Sequence, residues 1–376
     1  MTDTTICPVV MPKWGLSMSE GRVGEWIAKE GETIRPGQEL LDVETDKIAG
    51  TVEATDAGIL RRRVAEPDQV LPVGALLGVL AEADTPDADI DAFIAQFNAD
   101  FVPPETDEDS AESAYQWLEL NGQKLRYTRQ GNGDQTVLLI HGFGGDLDNW
   151  LFNLGELAAK HTVYALDLPG HGQSSKTLSD NTLDSLARTV LEVMNALDIE
   201  QAHLVGHSLG GAISLKTALT APAKVASLNL IGSAALGPDI NKGYIEGFIK
   251  GQSRRDMKPV LQQLFADPAL VTRQLIEDIL KYKRLDGVSQ TLQQLAEGVF
   301  ANGQQSEVLR DQLASLEIPV QAIWGAQDQI VPARHAEDLP ATVTVTVLDG
   351  YGHMVQMEAA SEVNRLLLAQ IEKAAA

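Results

Sequence analysis

Residues 202–211, Ala-His-Leu-Val-Gly-His-Ser-Leu-Gly-Gly, decide the fold of the larger part of this chain. A short apolar run leads into a turn with glycines two positions before and two positions after Ser208, and a helical pattern follows. The spacing G-x-S-x-G between a strand and a helix is typical of a sharp turn that exposes a serine nucleophile. Glycine suits both flanks because a Cβ there would collide with the neighbouring strand or helix. We expect Ser208 to stand above the sheet at a helix N-terminus, where the helix dipole favours developing negative charge.

Strand-like and helical patterns alternate on both sides of this turn. The apolar, β-branched runs lie at residues 136–140, 163–166, 203–205, 227–231, 320–324 and 343–348. Helical stretches such as 182–197 separate most of them. Two earlier runs, 116–120 and 125–129, flank Asn121-Gly122, which is a strong signal for a two-residue hairpin. The alternation predicts an α/β open sheet that begins with an antiparallel hairpin.

A long insertion interrupts this alternation between the runs 227–231 and 320–324, at about residues 233–316. Its pattern is helical, most clearly at 271–285 and 289–300. An insertion of this size above the carboxyl ends of the strands would form a lid over Ser208, and we expect such a lid to limit the access of water to the serine.

A serine nucleophile needs a base, and the base needs an acid that orients it. His353 follows the last strand-like run, and Asp328 follows the run before it in Trp324-Gly-Ala-Gln-Asp. Both side chains should therefore emerge at the same edge of the sheet as Ser208. The order Ser, Asp, His along the chain is that of the α/β-hydrolases. Asp349 is the alternative acid, but it is close to His353 in sequence and lies at the wrong strand end.

A glycine-rich turn, His141-Gly-Phe-Gly-Gly, directly follows the run 136–140. This turn can present the backbone N–H of Phe143 to an oxyanion. The second donor would be the N–H of Leu209, immediately after the nucleophile. Asp167 follows the run 163–166 and is interpreted as a residue that shapes its loop.

The N-terminal part of the chain, residues 4–82, contains short β-type runs separated by glycine and proline. These runs repeat at an offset of 37 residues, so that Gly21 matches Gly58 and Leu40 matches Leu77. Two similar halves of four strands predict a small flattened β-barrel. Lys47 lies between the halves, and we expect it in an exposed hairpin turn.

The next segment, residues 84–113, contains ten acidic residues and no basic one. Its later part, 98–113, is predicted to be an extended linker because it is rich in Pro, Glu, Asp and Ser and its like charges repel. Its earlier part predicts a helix with Asp87 or Asp89 as N-cap. The apolar stripe of this helix is formed by Ile90, Phe93, Ile94 and Phe97. The helix either packs on its own chain or docks another subunit.

Charge and composition exclude several classes of function. A net charge of −24 argues against nucleic acid and anionic membranes as partners. No apolar run reaches the roughly 18 to 20 residues of a bilayer span, and the first residues lack a secretory pattern. The single cysteine, Cys7, suits a reducing cytosol, so we expect a cytoplasmic protein in which Cys7 is a buried packing residue. His203 and His207 would lie about 13 Å apart on a strand, so no metal site is predicted.

Residues 4–82 resemble a lipoyl domain. The features that match are Met11-Pro, Gly-Glu-Thr-Ile-Arg-Pro-Gly at 31–37, Glu44-Thr-Asp-Lys47, and Gly58 eleven residues after the lysine. The sequence Asp-Lys-Ile-Ala favours lipoylation, since a biotinyl domain carries Met on both sides of its lysine. Residues 115–371 resemble an α/β-hydrolase. Together the two domains resemble the E2 components of acetoin dehydrogenase complexes, which are dihydrolipoyllysine-residue acetyltransferases.

This resemblance implies cofactors and partners. A covalent lipoate on Lys47 would receive an acetyl group from a thiamine-diphosphate E1 subunit, and the acetyl group would pass to coenzyme A. An E3 dihydrolipoamide dehydrogenase would reoxidise the lipoyl group, which a lipoylating enzyme would attach. The core motif of the common E2 acyltransferases, His-x-x-x-Asp-Gly, is missing, because Asp286-Gly and Asp349-Gly lack the preceding histidine. The acidic linker also offers no basic domain that would bind peripheral subunits.

The sequence thus predicts a lipoyl domain at 1–82, an acidic linker with a short helix at 83–113, and an α/β-hydrolase domain at 114–376. Three functions remain open at this point. The first is an acyltransferase that works through acetyl-Ser208. The second is a serine hydrolase or thioesterase with an appended lipoyl domain, and the third is a scaffold in which only lipoyl-Lys47 is active. Basic residues of the lid are either a site for the anionic coenzyme A or solvated surface charges; these are Lys250, Arg254 and Arg255.

Overall fold

The computed structural model describes residues 6–14, 18–45, 49–103 and 115–375, except for the side chain of Asn302. The chain divides into two compact units, Met1–Glu112 and Ser113–Ala376. Each unit has its own secondary structure and its own sheets. Within the described ranges, no helix has both the length and the apolar character that a bilayer span requires.

The N-terminal unit contains eight short strands in two sheets. The strands are β1 (Cys7–Val10), β2 (Glu20–Trp26), β3 (Thr33–Ile34), β4 (Glu39–Glu44), β5 (Ala49–Glu53), β6 (Gly58–Arg63), β7 (Val70–Pro72) and β8 (Leu76–Ala81). One sheet has the order β1-β8-β6-β3, and the other has the order β5-β4-β2-β7. Strands β2, β3 and β4 recur as β6, β7 and β8 at the spacing of the sequence repeat. The predicted flattened arrangement of two four-strand halves is confirmed.

The two sheets enclose one apolar core, in which Leu40 and Leu77 have no exposed surface. The repeated glycine marks a close approach in this core, since a Cβ on Gly21 would lie 2.8 Å from the Val43 side chain. Cys7 is only partly buried against the core. It packs against the core as predicted, but its predicted burial is incomplete because β1 lies at the edge of its sheet.

Strands β4 and β5 pair antiparallel, with Glu44 opposite Ala49. A side-chain hydrogen bond of 2.9 Å from Thr51 to Asp42 links the same two strands. The segment between these strands contains Lys47, which lies outside the described residues. The described flanks are neighbouring antiparallel strands, and the exposure of Lys47 itself stays a prediction.

Helix α1 (Asp87–Asp100) packs on the N-terminal unit. Ile90 has no exposed surface and lies in a small cluster with three residues of β8. The rest of the predicted stripe is partly buried against the same cluster; these residues are Phe93, Ile94 and Phe97. Of the two interpretations of this helix, packing on its own chain is confirmed.

Two details of the prediction for this segment are wrong. The N-cap is Pro86 and not Asp87 or Asp89, because the Asp87 carboxylate accepts a hydrogen bond from Arg61 Nη2 at 2.8 Å. The helix also continues through Asp100, so residues 98–100 do not belong to an extended linker. The remainder of the predicted linker, from residue 104 to 113, lies outside the described residues.

The C-terminal unit contains an eight-stranded sheet. Its strands are β9 (Tyr115–Leu120), β10 (Gln123–Gln130), β11 (Thr136–Ile140), β12 (Thr162–Leu166), β13 (Ala202–His207), β14 (Val225–Ile231), β15 (Val320–Gly325) and β16 (Val343–Leu348). The order is β16-β15-β14-β13-β11-β12-β10-β9, with β11 to β16 parallel. Asn121 and Gly122 have φ of 51° and 76°, as a two-residue hairpin turn requires. The predicted α/β sheet with an N-terminal hairpin is confirmed.

Helices connect most of these strands. They are α2 (Leu151–Ala158), α3 (Leu183–Ala196), α4 (Leu209–Thr220), α5 (Lys242–Lys250), α6 (Arg254–Leu261), α7 (Arg273–Lys283), α8 (Val288–Val299), α9 (Val355–Glu358) and α10 (Ala360–Ala375). Helices α5 to α8 lie between β14 and β15, where the sequence predicts the lid. Helices α7 and α8 correspond to the two helices predicted there. The carboxyl ends of the parallel strands share one edge of the sheet, where α/β proteins place their sites.

Candidate active site

Ser208 occupies the tight turn between β13 and α4. Its φ of 55° and ψ of −117° lie outside the regions that non-glycine residues favour. The loop after β14 holds this strained turn, because Ser208 N–H donates to the Ile231 carbonyl at 2.9 Å and the Ala234 N–H donates to the Ser208 carbonyl at 3.0 Å. A Cβ on Gly206 would lie 2.2 Å from the Gly210 carbonyl oxygen, and a Cβ on Gly210 would lie 2.1 Å from the Ile140 carbonyl oxygen, which explains the two glycines of the motif.

Asp328 and His353 form a buried hydrogen-bonded pair. His353 Nδ1 donates to Asp328 Oδ2 at 2.7 Å, and the two side chains are 3% and 0% exposed. The other carboxylate oxygen accepts from the N–H groups of Ile330 at 2.8 Å and Val331 at 2.9 Å. Because the carboxylate can only accept, the proton of a neutral His353 lies on Nδ1 and leaves Nε2 as the basic atom.

The structure brings this pair to the same site as Ser208. A Cβ on Gly232 would lie 3.3 Å from both Asp328 Oδ2 and His353 Nδ1, and Gly232 belongs to the loop that holds the serine turn. Ser208 is 5% exposed and His353 is 2% exposed, so little of either residue is in contact with bulk water. Asp349, the alternative acid, instead accepts from a glutamine amide at 2.9 Å near the surface.

The loop after β11 lies directly beside the serine. A Cβ on Gly142 would be 3.0 Å from Ser208 Cβ. Within the described residues, the N–H groups of Phe143 and Leu209 donate to no oxygen of the chain. Leu209 is also the first residue of α4, so its N–H lies at the positive end of the helix dipole. Both groups are available to an oxygen that gains negative charge.

A buried ion pair shapes the neighbouring loops. Arg126 Nε donates to Asp167 Oδ2 at 2.7 Å, with side chains that are 4% and 0% exposed. Asp167 also accepts from the N–H groups of Leu147 at 2.9 Å and Gln173 at 2.8 Å. These bonds tie the loop after β12 to the loop that carries Phe143. Asp167 therefore shapes its loop, in agreement with its interpretation from sequence.

Two buried histidines support the same loops in their neutral forms. His141 Nδ1 donates to the Gly142 carbonyl at 2.8 Å, and His141 Nε2 accepts from the Leu168 N–H at 3.0 Å. Burial lowers the pKa of His141, and it lowers the pKa of His171 to about 3. The two rings lie 5.0 Å apart. Both rings are therefore uncharged near neutral pH and act as fixed parts of the loop.

Aromatic side chains of the lid close over the loop that carries Phe143. The Phe143 ring lies edge to face against Phe248 of α5 and against Phe300 after α8, with ring centroids 6.0 Å apart in each case. Lys283 of α7 holds the end of α5, because its ammonium donates to the carbonyls of Phe248 and Gly251. These contacts bind three lid helices into one cover.

Glu358 connects the lid to the loop that carries the base. Its two carboxylate oxygens accept from the N–H groups of Ala266 at 2.7 Å and Gly352 at 2.8 Å. The Met354 N–H also donates to the Leu264 carbonyl at 3.0 Å. Burial raises the pKa of the Glu358 carboxyl. The residues on either side of His353 are thus fixed to the segment that follows α6.

Comparisons with known proteins agree with this architecture. Residues 8–80 match the family described as biotin-requiring enzyme, and residues 135–360 match the α/β-hydrolase fold. The dihydrolipoyllysine-residue acetyltransferase component of the acetoin cleaving system of Cupriavidus necator is 52% identical over 363 residues, which are 96% of each chain. The component of the same name from Pseudomonas putida is 51% identical over 366 residues, which are 97% of this chain and 98% of that one. The chain belongs to this family.

A solved structure also resembles this chain. The meta-cleavage product hydrolase of Pseudomonas fluorescens superposes with a TM-score of 0.63 at 26% identity, and the match covers 69% of this chain and 98% of that chain. The family assignment and the fold class inferred from the sequence are therefore confirmed. The residue assignments at the site rest on the geometry described above.

Sequence reasoning missed several residues that hold the site together. Arg126 lies in the hairpin strand β10, and its partner is 41 positions away, so no local signal marks it. Glu358 is one carboxylate among many in an acidic chain. Lys283 does leave a signal, because it shares the buried face of α7 with Ile276 and Leu280. A lysine at such an apolar position indicates a charge that binds backbone carbonyls.

Proposed function

We propose that this chain moves an acetyl group from a lipoyl group on Lys47 to coenzyme A, through an acetyl ester on Ser208. The observation that carries the proposal is the buried hydrogen bond of 2.7 Å between His353 and Asp328 beside the serine turn. The names of the two relatives, both acetyltransferase components, support acetyl as the group that is moved.

The proposed roles follow from the geometry. His353 Nε2 removes the proton of the Ser208 hydroxyl while Asp328 holds the imidazole in the required tautomer. Ser208 Oγ then attacks the acetyl carbonyl, and the carbonyl oxygen receives hydrogen bonds from the N–H groups of Phe143 and Leu209. His353 gives its proton to the departing sulfur. The thiol of coenzyme A then gives its proton to His353 and attacks the acetyl carbonyl. Ser208 Oγ leaves and takes the proton back from His353.

The assignment of the lipoyl group to Lys47 rests on the N-terminal unit. Residues 8–80 match the biotin-requiring family, and the described residues on either side of Lys47 are paired antiparallel strands. When attached, the lipoyl group supplies a thiol that carries the acetyl group as a thioester. The proposal keeps the boundaries 1–82 for this domain, 83–113 for the linker and 114–376 for the catalytic domain, with a lid at about 233–316.

The closed lid supports transfer over loss to water. The aromatic cover on Phe143 and the burial of Ser208 limit water at the site. Because Ser208 and His353 are both nearly buried, coenzyme A requires the lid to move before its thiol reaches Ser208.

The three basic lid residues considered for coenzyme A differ in the ion pairs that they form. Lys250 pairs with Glu246 at 2.8 Å, and Arg254 pairs with Glu277 at 3.4 Å. Ion pairs already occupy these two cations. Arg255 is exposed, and the proposal keeps it as the candidate for the phosphates of coenzyme A.

The proposal also includes partners and a location. An E1 subunit that cleaves acetoin with thiamine diphosphate would load the lipoyl group, an E3 dihydrolipoamide dehydrogenase would reoxidise it, and a lipoylating enzyme would attach it. The names of the relatives, which place them in an acetoin cleaving system, support such partners. A single cysteine in 376 residues supports the reducing cytoplasm.

A serine hydrolase or thioesterase is the second candidate function. The observation that favours it is the likeness to a meta-cleavage product hydrolase, which covers 98% of that chain. A serine triad transfers its acyl group to water unless water is kept out. In this alternative the lipoyl domain delivers the acyl group, and acetate is the product.

One experiment separates the two candidates. The purified full chain is given S-acetyldihydrolipoamide with and without coenzyme A, and acetyl-CoA and acetate are both quantified. Acetyl transfer predicts acetyl-CoA as the main product and little acetate in the absence of coenzyme A. Equal amounts of acetate with and without coenzyme A would favour the hydrolase. A Ser208→Ala variant that retained full turnover would contradict both.

A further inference from the structure

His207 is a second buried imidazole that touches the base. It is the last residue of β13, it directly precedes Ser208, and it is 3% exposed. His207 Nε2 lies 2.9 Å from the backbone carbonyl oxygen of His353. The two rings are 4.6 Å apart and inclined at 51°. The proposed triad gives His207 no role.

The hydrogen bond to His353 fixes the tautomer of His207. A carbonyl oxygen only accepts, so His207 Nε2 must carry the proton. Burial, and then the neighbouring His353 ring, hold the pKa of His207 well below its ordinary value. The titratable groups that face the ring are His353 and His141, and neither supplies a negative charge. His207 is therefore uncharged near neutral pH.

The other side of the ring faces the loop after β11. His207 Nδ1 is buried and has no hydrogen-bond partner among the described residues. A Cβ on Gly142 would lie 3.1 Å from this nitrogen, so the ring lies between the loop after β11 and the loop of the base. The hydrogen bond to the His353 carbonyl is thus the one hydrogen bond of this ring among the described residues.

We propose that His207 is a positioning residue for His353. Asp328 holds a single atom of the imidazole, Nδ1, and one contact leaves the ring able to pivot about that bond. The bond from His207 fixes the backbone of the same residue. Because His207 and Ser208 are adjacent in the chain, this bond also sets the spacing between nucleophile and base. The inference rests on the proposed function, since it assigns His353 as the base.

The neutral state of His207 matters for the same reason. His353 becomes an imidazolium when it takes the serine proton, and a second cation at this distance would oppose that step. The groups that face His353 are the carboxylate of Asp328, the carboxyl of Glu358 and the ring of His207. Burial of His207 thus keeps a donor next to the base without placing a positive charge there.

Three substitutions at this position test the donor. His207→Gln places an amide nitrogen where the ring has Nε2, so it can still donate to the His353 carbonyl. His207→Asn places its amide near Nδ1 and cannot reach, and His207→Phe keeps the ring volume without a donor. All three are made in the full lipoylated chain, and folding is checked by circular dichroism.

The expected pattern is rescue by glutamine. His207→Asn and His207→Phe should lower kcat for S-acetyldihydrolipoamide by about ten- to a hundredfold with little change in KM, because misplacement of a catalytic group acts on the chemical step. His207→Gln should stay within about threefold of the wild type. The low-field proton resonance of His353 Nδ1–H should persist in His207→Gln and broaden in His207→Asn.

Two results would overturn the inference. One is a folded His207→Asn chain with kcat close to the wild type, and the other is a glutamine variant as slow as the asparagine variant. Should His207→Phe fail to fold, the comparison of glutamine with asparagine still decides. Failure of the proposed function has a different signature, since the wild type itself would then form no acetyl ester on Ser208.

Discussion

Replacement of Asp328 by asparagine tests the pairing of acid and base. The Asp328 carboxylate has two separate tasks: one oxygen accepts from the N–H groups of Ile330 and Val331, and the other accepts from His353 Nδ1. An asparagine has one oxygen only. Because the two backbone donors need an acceptor, the amide oxygen is expected to stay with them. The amide NH₂ then faces His353.

Two donors facing each other cannot bond, so His353 should adopt the tautomer with its proton on Nε2. In that form the ring cannot remove the proton of Ser208. The corresponding change in a serine protease triad costs about 10⁴-fold in kcat, which equals about 5 kcal/mol of transition-state stabilisation. We expect a loss of this size here. The fold should lose less, because Asn has the same shape and the bonds to the backbone remain.

The assay is the turnover of S-acetyldihydrolipoamide by the full chain, with thermal unfolding as a check on the fold. Asp349→Asn is the matched control, since Asp349 also follows a strand near His353 but bonds a glutamine at the surface. The control should keep its activity. An Asp328→Asn chain that retained more than about a tenth of the wild-type kcat would refute the assignment of Asp328 as the acid.

Three further changes test the turn and the lid. A Cβ on Gly210 would lie 2.1 Å from a carbonyl oxygen, so Gly210→Ala should yield no active chain in a turnover assay. Gly155→Ala is its control: nothing lies within 4 Å of the added Cβ, and this helix substitution should raise stability by about 0.5–1 kcal/mol, seen as a higher Tm. Phe248→Ala should cost about 3–5 kcal/mol in stability. It should also increase acetate relative to acetyl-CoA, because it opens the aromatic cover. An unchanged product ratio would contradict this role of the lid. Lys283→Met should leave the carbonyls at the end of α5 without a donor at a cost of about 1–3 kcal/mol, and amide hydrogen exchange in residues 242–251 should become faster; unchanged exchange would show that Lys283 does not hold this helix.

The parts that sequence predicted well are those that local sequence determines. The serine turn is such a case, because the clash that requires glycine at Gly206 arises within four residues, although the clash at Gly210 is with the distant Ile140 carbonyl. The eight strands of the N-terminal unit are a second such case, because the sequence repeat shows the same strand pattern in both halves. Asp328 and His353 could be placed because each directly follows a strand, and parallel strands bring their carboxyl ends together.

The parts that sequence did not predict depend on contacts between distant segments. Asp87 does not cap α1, because its carboxylate accepts a hydrogen bond from Arg61, which lies 26 positions earlier. The aromatic cover depends on Phe248 and Phe300 meeting Phe143, and hydrophobic periodicity on a lid helix does not say which loop its buried face covers. Lys47 is different in kind, since its role rests on motif and family while its residue lies outside the described ranges.

If the acetyl group passes through Ser208 on its way to coenzyme A, an acetyl ester forms on this serine in each turnover. The most direct measurement is rapid quenching of the full chain after addition of S-acetyldihydrolipoamide, followed by mass spectrometry of the peptide that contains Ser208. We expect one acetyl group on this serine, which disappears when coenzyme A is added while an equal amount of acetyl-CoA forms. Formation of acetyl-CoA at an undiminished rate by Ser208→Ala would contradict it.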